Sequence, residues 1–325
     1  MNLKSQLNLV ILSLFLLFMP YPSSAPTITW SRGPDLPLPR GGYYAAWFQG
    51  GLLVAGGTYW KDGKKLWTDD VSLFEPRSNQ WTKWNSLPHP LAYGSMVQAN
   101  HKLYLFGGSD EKSLYSDVYE SQGKEWIRIG DAPFKSVYTA AVGNSSYIYV
   151  FGGGASVNDL TLTTNQAWKF NIKTKEWKKL EAVPGPPRVL HAAAIQGNFI
   201  YIFGGATQKP GHDLVNLSDA YRFDIQREKW ATLKPAPLPT RAWWATADNE
   251  SIYLFGGYSD DFLDHVYEYD SDRDEYHLIS RLPLPLCDAK FFFNDGRFYA
   301  TSGEDKGGSR FSGTLIGKPN RESNP

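Results

Sequence analysis

The sequence predicts an all-β fold, a ring of six four-stranded blades, and three observations carry that expectation. An apolar strand ending in Gly-Gly recurs five times, with a degenerate sixth copy at Phe298-Tyr299-Ala300-Thr301-Ser302-Gly303. Successive copies lie 45 to 52 residues apart, which is the length of one four-stranded blade rather than of a helical repeat. A strand bearing Trp81, Trp126, Trp177 or Trp230 follows each of the first four pairs, and Tyr276 takes that place in the fifth unit.

Taken in order, the chain opens with Lys4 and an apolar run from Leu7 to Met19, then Ser23-Ser24-Ala25. That pattern predicts an export signal over residues 1–25, cleaved after Ala25, with a periplasmic or secreted mature chain that keeps no membrane segment. The run is short for a membrane-spanning helix. Next, Thr27-Ile28-Thr29-Trp30-Ser31-Arg32 has the form of a Trp strand, and Pro34 to Arg40 follows it as Pro235 to Arg241 follows Trp230. The sixth unit lacks a Trp strand of its own. The N-terminal strand, residues 27–33, is therefore expected to complete the last blade and close the ring, so that no blade edge stays open. The propeller then spans 26–318, and the polar residues 319–325 are expected to be disordered.

The repeated strands are Leu52 to Gly57, Leu103 to Gly108, Ile148 to Gly153, Ile200 to Gly205 and Ile252 to Gly257. Gly-Gly lets a strand end with positive φ and lets backbones approach closely, and the Trp supplies a large apolar plate to bury between sheets. The pattern resembles the kelch repeat over nearly all of the mature chain, and that resemblance implies a kelch-type β-propeller.

Composition narrows the function. Lys plus Arg and Asp plus Glu are 33 each, so bulk charge suggests no nucleic-acid or anionic-membrane partner. Cys287 is the single Cys, which excludes an internal disulfide or a Cys-cluster metal site, and the six His show no ligand spacing. A copper-radical oxidase on the same fold needs a Cys beside a Tyr, which Cys287 lacks. No cofactor is expected.

In an up-and-down blade, the start of each first strand and the loop after each Gly-Gly share one face. That face collects Arg40, Arg188, Arg241 and Arg310 from four units, together with Tyr93, Tyr138, Trp60, Trp67 and Trp243. The Arg forks suit a carboxylate; the alternative for each is a brace from a loop to backbone carbonyls. Glu304, directly after the degenerate pair, is expected at the inner rim, where partial desolvation tunes a carboxyl for acid–base work. Arg310 follows six residues later.

Glu304 and Arg310, with Lys306 and Gly307-Gly308 between them, are similar to the motif of the bacterial N-acetylneuraminate epimerase (sialic acid mutarotase) group, including its cyclically permuted members. The resemblance implies a Glu that accepts a proton, an Arg that grips a small acidic sugar, and an isomerase that opens and recloses the sugar ring. This chain is shorter than the unpermuted enzymes and carries the motif in its final unit. On this reading Glu304 is the base; Tyr93, Tyr138, His191 or water is the acid; and Arg40, Arg188, Arg241 and the aromatic residues hold substrate. The second reading is a non-catalytic propeller that binds a protein or a glycan.

Overall fold

The computed structural model describes residues 27–320; the expected export signal and residues 321–325 lie outside them. Among the described residues there is no helix, and six four-stranded antiparallel sheets form the blades. The first blade runs outward through Tyr44–Phe48, Gly51–Ala55, Val71–Glu75 and Gln80–Lys83. The fourth, the longest, runs through Ala192–Gln196, Phe199–Thr207, Val215–Asp224 and Lys229–Leu233. Each innermost strand touches the innermost strand of the next blade, from Tyr44–Phe48 round to Lys290–Asn294 and back.

The last blade is Lys290–Asn294, Arg297–Thr301, Thr314–Pro319 and, outermost, Ile28–Gly33 from the N-terminal end. The closing strand pairs from Ile28 opposite Pro319 to Gly33 opposite Thr314. Pro319 and Asn320, expected to lie in the disordered tail, instead join the closing pairing: Pro319 belongs to the strand, and the Asn320 amide donates to the Thr27 carbonyl at 2.8 Å.

Aromatic rings set the blades against one another. Trp177 meets Phe106 of the preceding blade with centroids 6.1 Å apart, Trp230 meets Phe151 at 5.7 Å, and Tyr276 meets Phe203 at 6.2 Å, all edge-on. Trp30 meets Phe255 in the same way at 6.3 Å, so the N-terminal strand supplies the wedge that the sixth unit lacks.

The Gly-Gly pairs have a steric cause. A Cβ on the first glycine would sit 2.3 Å from the Leu91 carbonyl at Gly56 and 2.1 Å from the Leu286 carbonyl at Gly256. In the last unit Ser302 takes that place at φ 60° and turns the conflict into a bond. Its hydroxyl accepts from the Arg40 amide at 2.7 Å and donates to the Arg40 carbonyl at 2.5 Å.

Among the described residues one element lies outside the blades. Thr58–Lys61 and Lys64–Trp67 form a hairpin in the first unit, closed by Asp62 (φ 51°) and Gly63 (φ 73°) in a two-residue turn that fits the natural twist of paired strands.

Candidate functional site

The residue after each Gly-Gly bridges to the start of its blade's innermost strand: Thr58 to Gly41, Ser109 to Ala92, Gly154 to Val137, Ala206 to Val189, Tyr258 to Arg241 and Glu304 to Cys287. One residue further along, Gly42, Tyr93, Tyr138, Leu190, Ala242 and Asp288 all have φ between 52° and 66°. Their backbones link into a collar. Tyr93 donates to Gly42, Tyr138 to Tyr93, Leu190 to Tyr138, Ala242 to Leu190 and Asp288 to Ala242, at 2.6 to 3.3 Å. The final link uses a side chain, because the Gly42 amide donates to Asp288 Oδ2. Five of the six are not glycine, at a cost of about 1 kcal/mol each. Such strain persists because the closed ring holds every member in place.

The collar surrounds a cavity of about 530 Å³. Small residues at the starts of the inner strands, among them Ala45, Ser95, Ala140 and Ala192, leave the space, and Glu304 stands in its wall. Arg310 Nη1 lies 2.7 Å from Glu304 Oε1 and donates to the Ser309 carbonyl at 2.9 Å. Burial pushes the Glu304 carboxyl above the ordinary range; Arg310 and Lys65 pull it back and the Asp288 charge adds to the rise. Desolvation wins, leaving a carboxylate readier than usual to take a proton.

Arg310 itself does not border the cavity. Its guanidinium lies flat against Gly41, where a Cβ would meet Nε at 2.7 Å and Cζ at 2.9 Å. Gly41→Ala is therefore expected to cost about 1 kcal/mol or more by overpacking. It should also push Arg310 off Glu304 and so raise the Glu304 titration further, read by carbon-13 NMR of the labelled carboxyl. An unmoved titration would show that Arg310 is not held by this contact.

The expected crown of four guanidiniums is corrected. Arg40 is fully buried and donates to the carbonyls of Leu38, Gly56 and Asp70 and to Asp70 Oδ1 at 2.6 Å. Arg188, equally buried, grips both carboxylate oxygens of Asp219 at 2.9 and 2.6 Å and the carbonyls of Gly204 and Pro184. Both are braces inside their blades. Arg241 stands one position later in its repeat, opposite Tyr258, and it borders the cavity. Successive side chains on an extended backbone point to opposite sides, so one residue of offset separates brace from wall. Arg188→Ala is expected to cost about 3 kcal/mol, the low end for breaking a buried pair because Asp219 keeps some contact with water. Urea denaturation checks this, and an unchanged midpoint would overturn the bracing role.

The same alternation sorts the aromatic residues. Trp243 donates its indole N–H to the Phe203 carbonyl at 3.1 Å and packs on Gly204, so it braces the neighbouring blade while still bordering the cavity, and Trp244 lies along the wall beneath Lys290. Trp67 packs on the cluster of Ala92, Tyr93 and Val137, and Trp60 is 45% exposed further out on the hairpin; neither borders the cavity. Tyr93 and Tyr138 do border it, with rings 5.1 Å apart. Tyr93 Oη meets Thr58 Oγ1 at 3.2 Å, and the Tyr138 hydroxyl donates to the Val157 carbonyl at 3.3 Å. Burial, with Tyr93, Asp288 and Glu304 nearby, pushes the Tyr138 phenol far up, so it stays a donor. His191 also borders the cavity, with its ring edge against Gly152 of the neighbouring blade, and burial with the Arg188 charge lowers its imidazole to about 3.

Sequence reasoning passed over Asp288, Lys290 and Lys65. Lys290 Nζ is 3.3 Å from Asp288 Oδ1, and Lys65 reaches the wall from the hairpin. All three stood in stretches expected on that face, Asp288 and Lys290 at the start of the last unit's first strand and Lys65 in the loop after Gly57, but no local signal marked any of them as a residue that turns inward.

Comparison with known proteins adds the following. A family model described as Attractin/LZTR1 beta-propeller matches residues 27–267. Kelch-like protein 25 of Xenopus tropicalis is 28% identical over 81% of this chain and 36% of its own length. Kelch-like protein 35 of Mus musculus is 26% identical over 42% of this chain and 23% of its own. The N-acetylneuraminate epimerase of Vibrio cholerae is 29% identical over 33% of this chain and 29% of its own. These matches thus span only 23% to 36% of the length of each curated relative.

Proposed function

The chain belongs to the Attractin/LZTR1 beta-propeller family, and on that scaffold we propose an exported isomerase that interconverts the anomers of N-acetylneuraminate or a related acidic sugar. The observation that carries the reading is Glu304: a carboxyl raised by burial, steadied by Arg310, in the wall of a cavity sized for a small molecule. The partial likeness to an epimerase supports the same chemistry.

In this reaction Glu304 takes the proton of the anomeric hydroxyl as the bond between the anomeric carbon and the ring oxygen breaks. The ring oxygen gains a proton from water or a wall hydroxyl, and the anomeric oxygen becomes the keto oxygen of the open chain. Closure on the other face reverses each transfer, and Glu304 returns its proton. The protein supplies placement and a base of suitable affinity. Arg310 acts through Glu304, fixing which oxygen faces the cavity, and thereby departs from the expected substrate grip.

Proton NMR of freshly dissolved α-N-acetylneuraminate tests the proposal. The anomeric signals are expected to equilibrate faster with protein than in buffer. Equal rates would remove the isomerase and leave a propeller that binds a protein or glycan.

A further inference from the structure

The charged groups of the cavity wall do not balance. Glu304 is answered by Arg310 from behind, and Asp288 by Lys290. Lys65 and Arg241 also border the cavity, and among the described residues neither has a carboxylate within ion-pair distance. His191 is neutral there. Two positive charges are left over, on opposite flanks of Glu304: one from the first unit, one from the fifth.

Each is held in place without being neutralised. The Arg241 guanidinium lies 4.2 Å from the centre of the Tyr258 ring and donates from Nη1 to Asn216 Oδ1 at 2.6 Å. The other donors of its fork make no hydrogen bond among the described residues. Lys65 Nζ stands 5.2 Å from the Tyr93 ring and 5.7 Å from the Trp67 ring, and its charge reaches Glu304. Ring faces hold a cation while leaving its hydrogen-bond donors free. The hairpin accounts for the placement. Thr58 pairs with Trp67 and Trp60 with Lys65, so these four share one hairpin face. Thr58 and Trp67 fasten that face to Tyr93 and its neighbours, which sets Lys65 at the wall.

We propose that Lys65 and Arg241 together bind the carboxylate of the ligand, and that the Thr58–Trp67 hairpin serves to carry Lys65 to it. The assignment rests on the acidic-sugar reading for the ligand but not on turnover. A second cation is needed for a physical reason: an anionic sugar meets Glu304 and Asp288 in the same cavity, and like charges at that range weaken binding unless surplus positive charge offsets them.

Calorimetric titration of wild type, Lys65→Met and Lys65→Arg with N-acetylneuraminate, its methyl ester and glucose 6-phosphate tests the assignment. Lys65→Met keeps the apolar stem over Tyr93 and removes only the charge. It is expected to weaken binding of the acid about tenfold, the effect of one charge-assisted hydrogen bond, and to leave the ester unchanged. Lys65→Arg should restore most of the loss. Equal weakening of acid and ester would mean a structural role, and undiminished binding of the acid would mean that Lys65 makes no contact; either overturns the proposal. Glucose 6-phosphate binding more tightly than the acid would overturn the choice of a carboxylate. Wild type that binds the acid with the expected Lys65 dependence, yet leaves the anomerisation rate at its buffer value, sinks the isomerase and supports this site.

Discussion

Glu304→Gln is expected to bring anomerisation back to within a few-fold of the buffer rate, a loss of about 10²–10⁴ if general base catalysis makes its usual contribution. Gln keeps the shape and the backbone bridge of Glu304 to Cys287, so the fold should survive and circular dichroism should be unchanged. The pH profile carries the second half of the prediction. A base works only when deprotonated, so the wild-type rate must rise with pH through the Glu304 titration. Burial raises that titration, the Asp288 charge raises it further, and Arg310 and Lys65 oppose both. The midpoint should therefore lie above that of a free Glu side chain. Asp288→Asn, which removes a negative neighbour, should move it down. A flat profile in wild type, or a fully active Glu304→Gln, would mean that the proton goes elsewhere.

Removing residues 1–33 is expected to cost the protein its cooperative folded state. Ile28 is 6% exposed and belongs to the core shared by the last two blades, and Trp30 packs edge-on against Phe255 and Phe291. Their burial contributes about 2–3 kcal/mol each. The six-residue pairing with Thr314–Pro319 goes with them, exposing that strand as an edge open to association. Domains are stable by only about 5–15 kcal/mol, so the loss is a large fraction of the whole. The expected result is a broad, early thermal transition with aggregation, partly reversed by a peptide spanning residues 26–33. A sharp transition at the wild-type temperature would show that the ring closes without its first strand.

The closure and the blade count were legible because they depend on composition at fixed intervals. Gly-Gly must recur where carbonyls of the next blade leave no room for a Cβ, and a large ring must recur where blades meet. Even the exception follows a rule: Ser302 stands where its hydroxyl bonds the Arg40 backbone that would otherwise obstruct it. Glu304 was legible as a rim residue for the same reason, since it holds a numbered place after the pair.

What the sequence by itself determined was thus the sheet order, the face of the site and the placing of Glu304 in its wall. Only the tertiary structure decided which neighbours join it. Arg40 and Arg188 turned into their blades while Arg241 stayed at the wall, Trp243 tied its indole to the neighbouring blade while Trp244 lay beneath Lys290, and Lys65 arrived from a hairpin outside the blade sheets. The physical reason is that side chains alternate on extended backbone, so one residue of register reverses which way a group points. That register is set by hydrogen bonds between blades, above all the collar through Gly42 and Asp288, whose partners lie far apart in the chain.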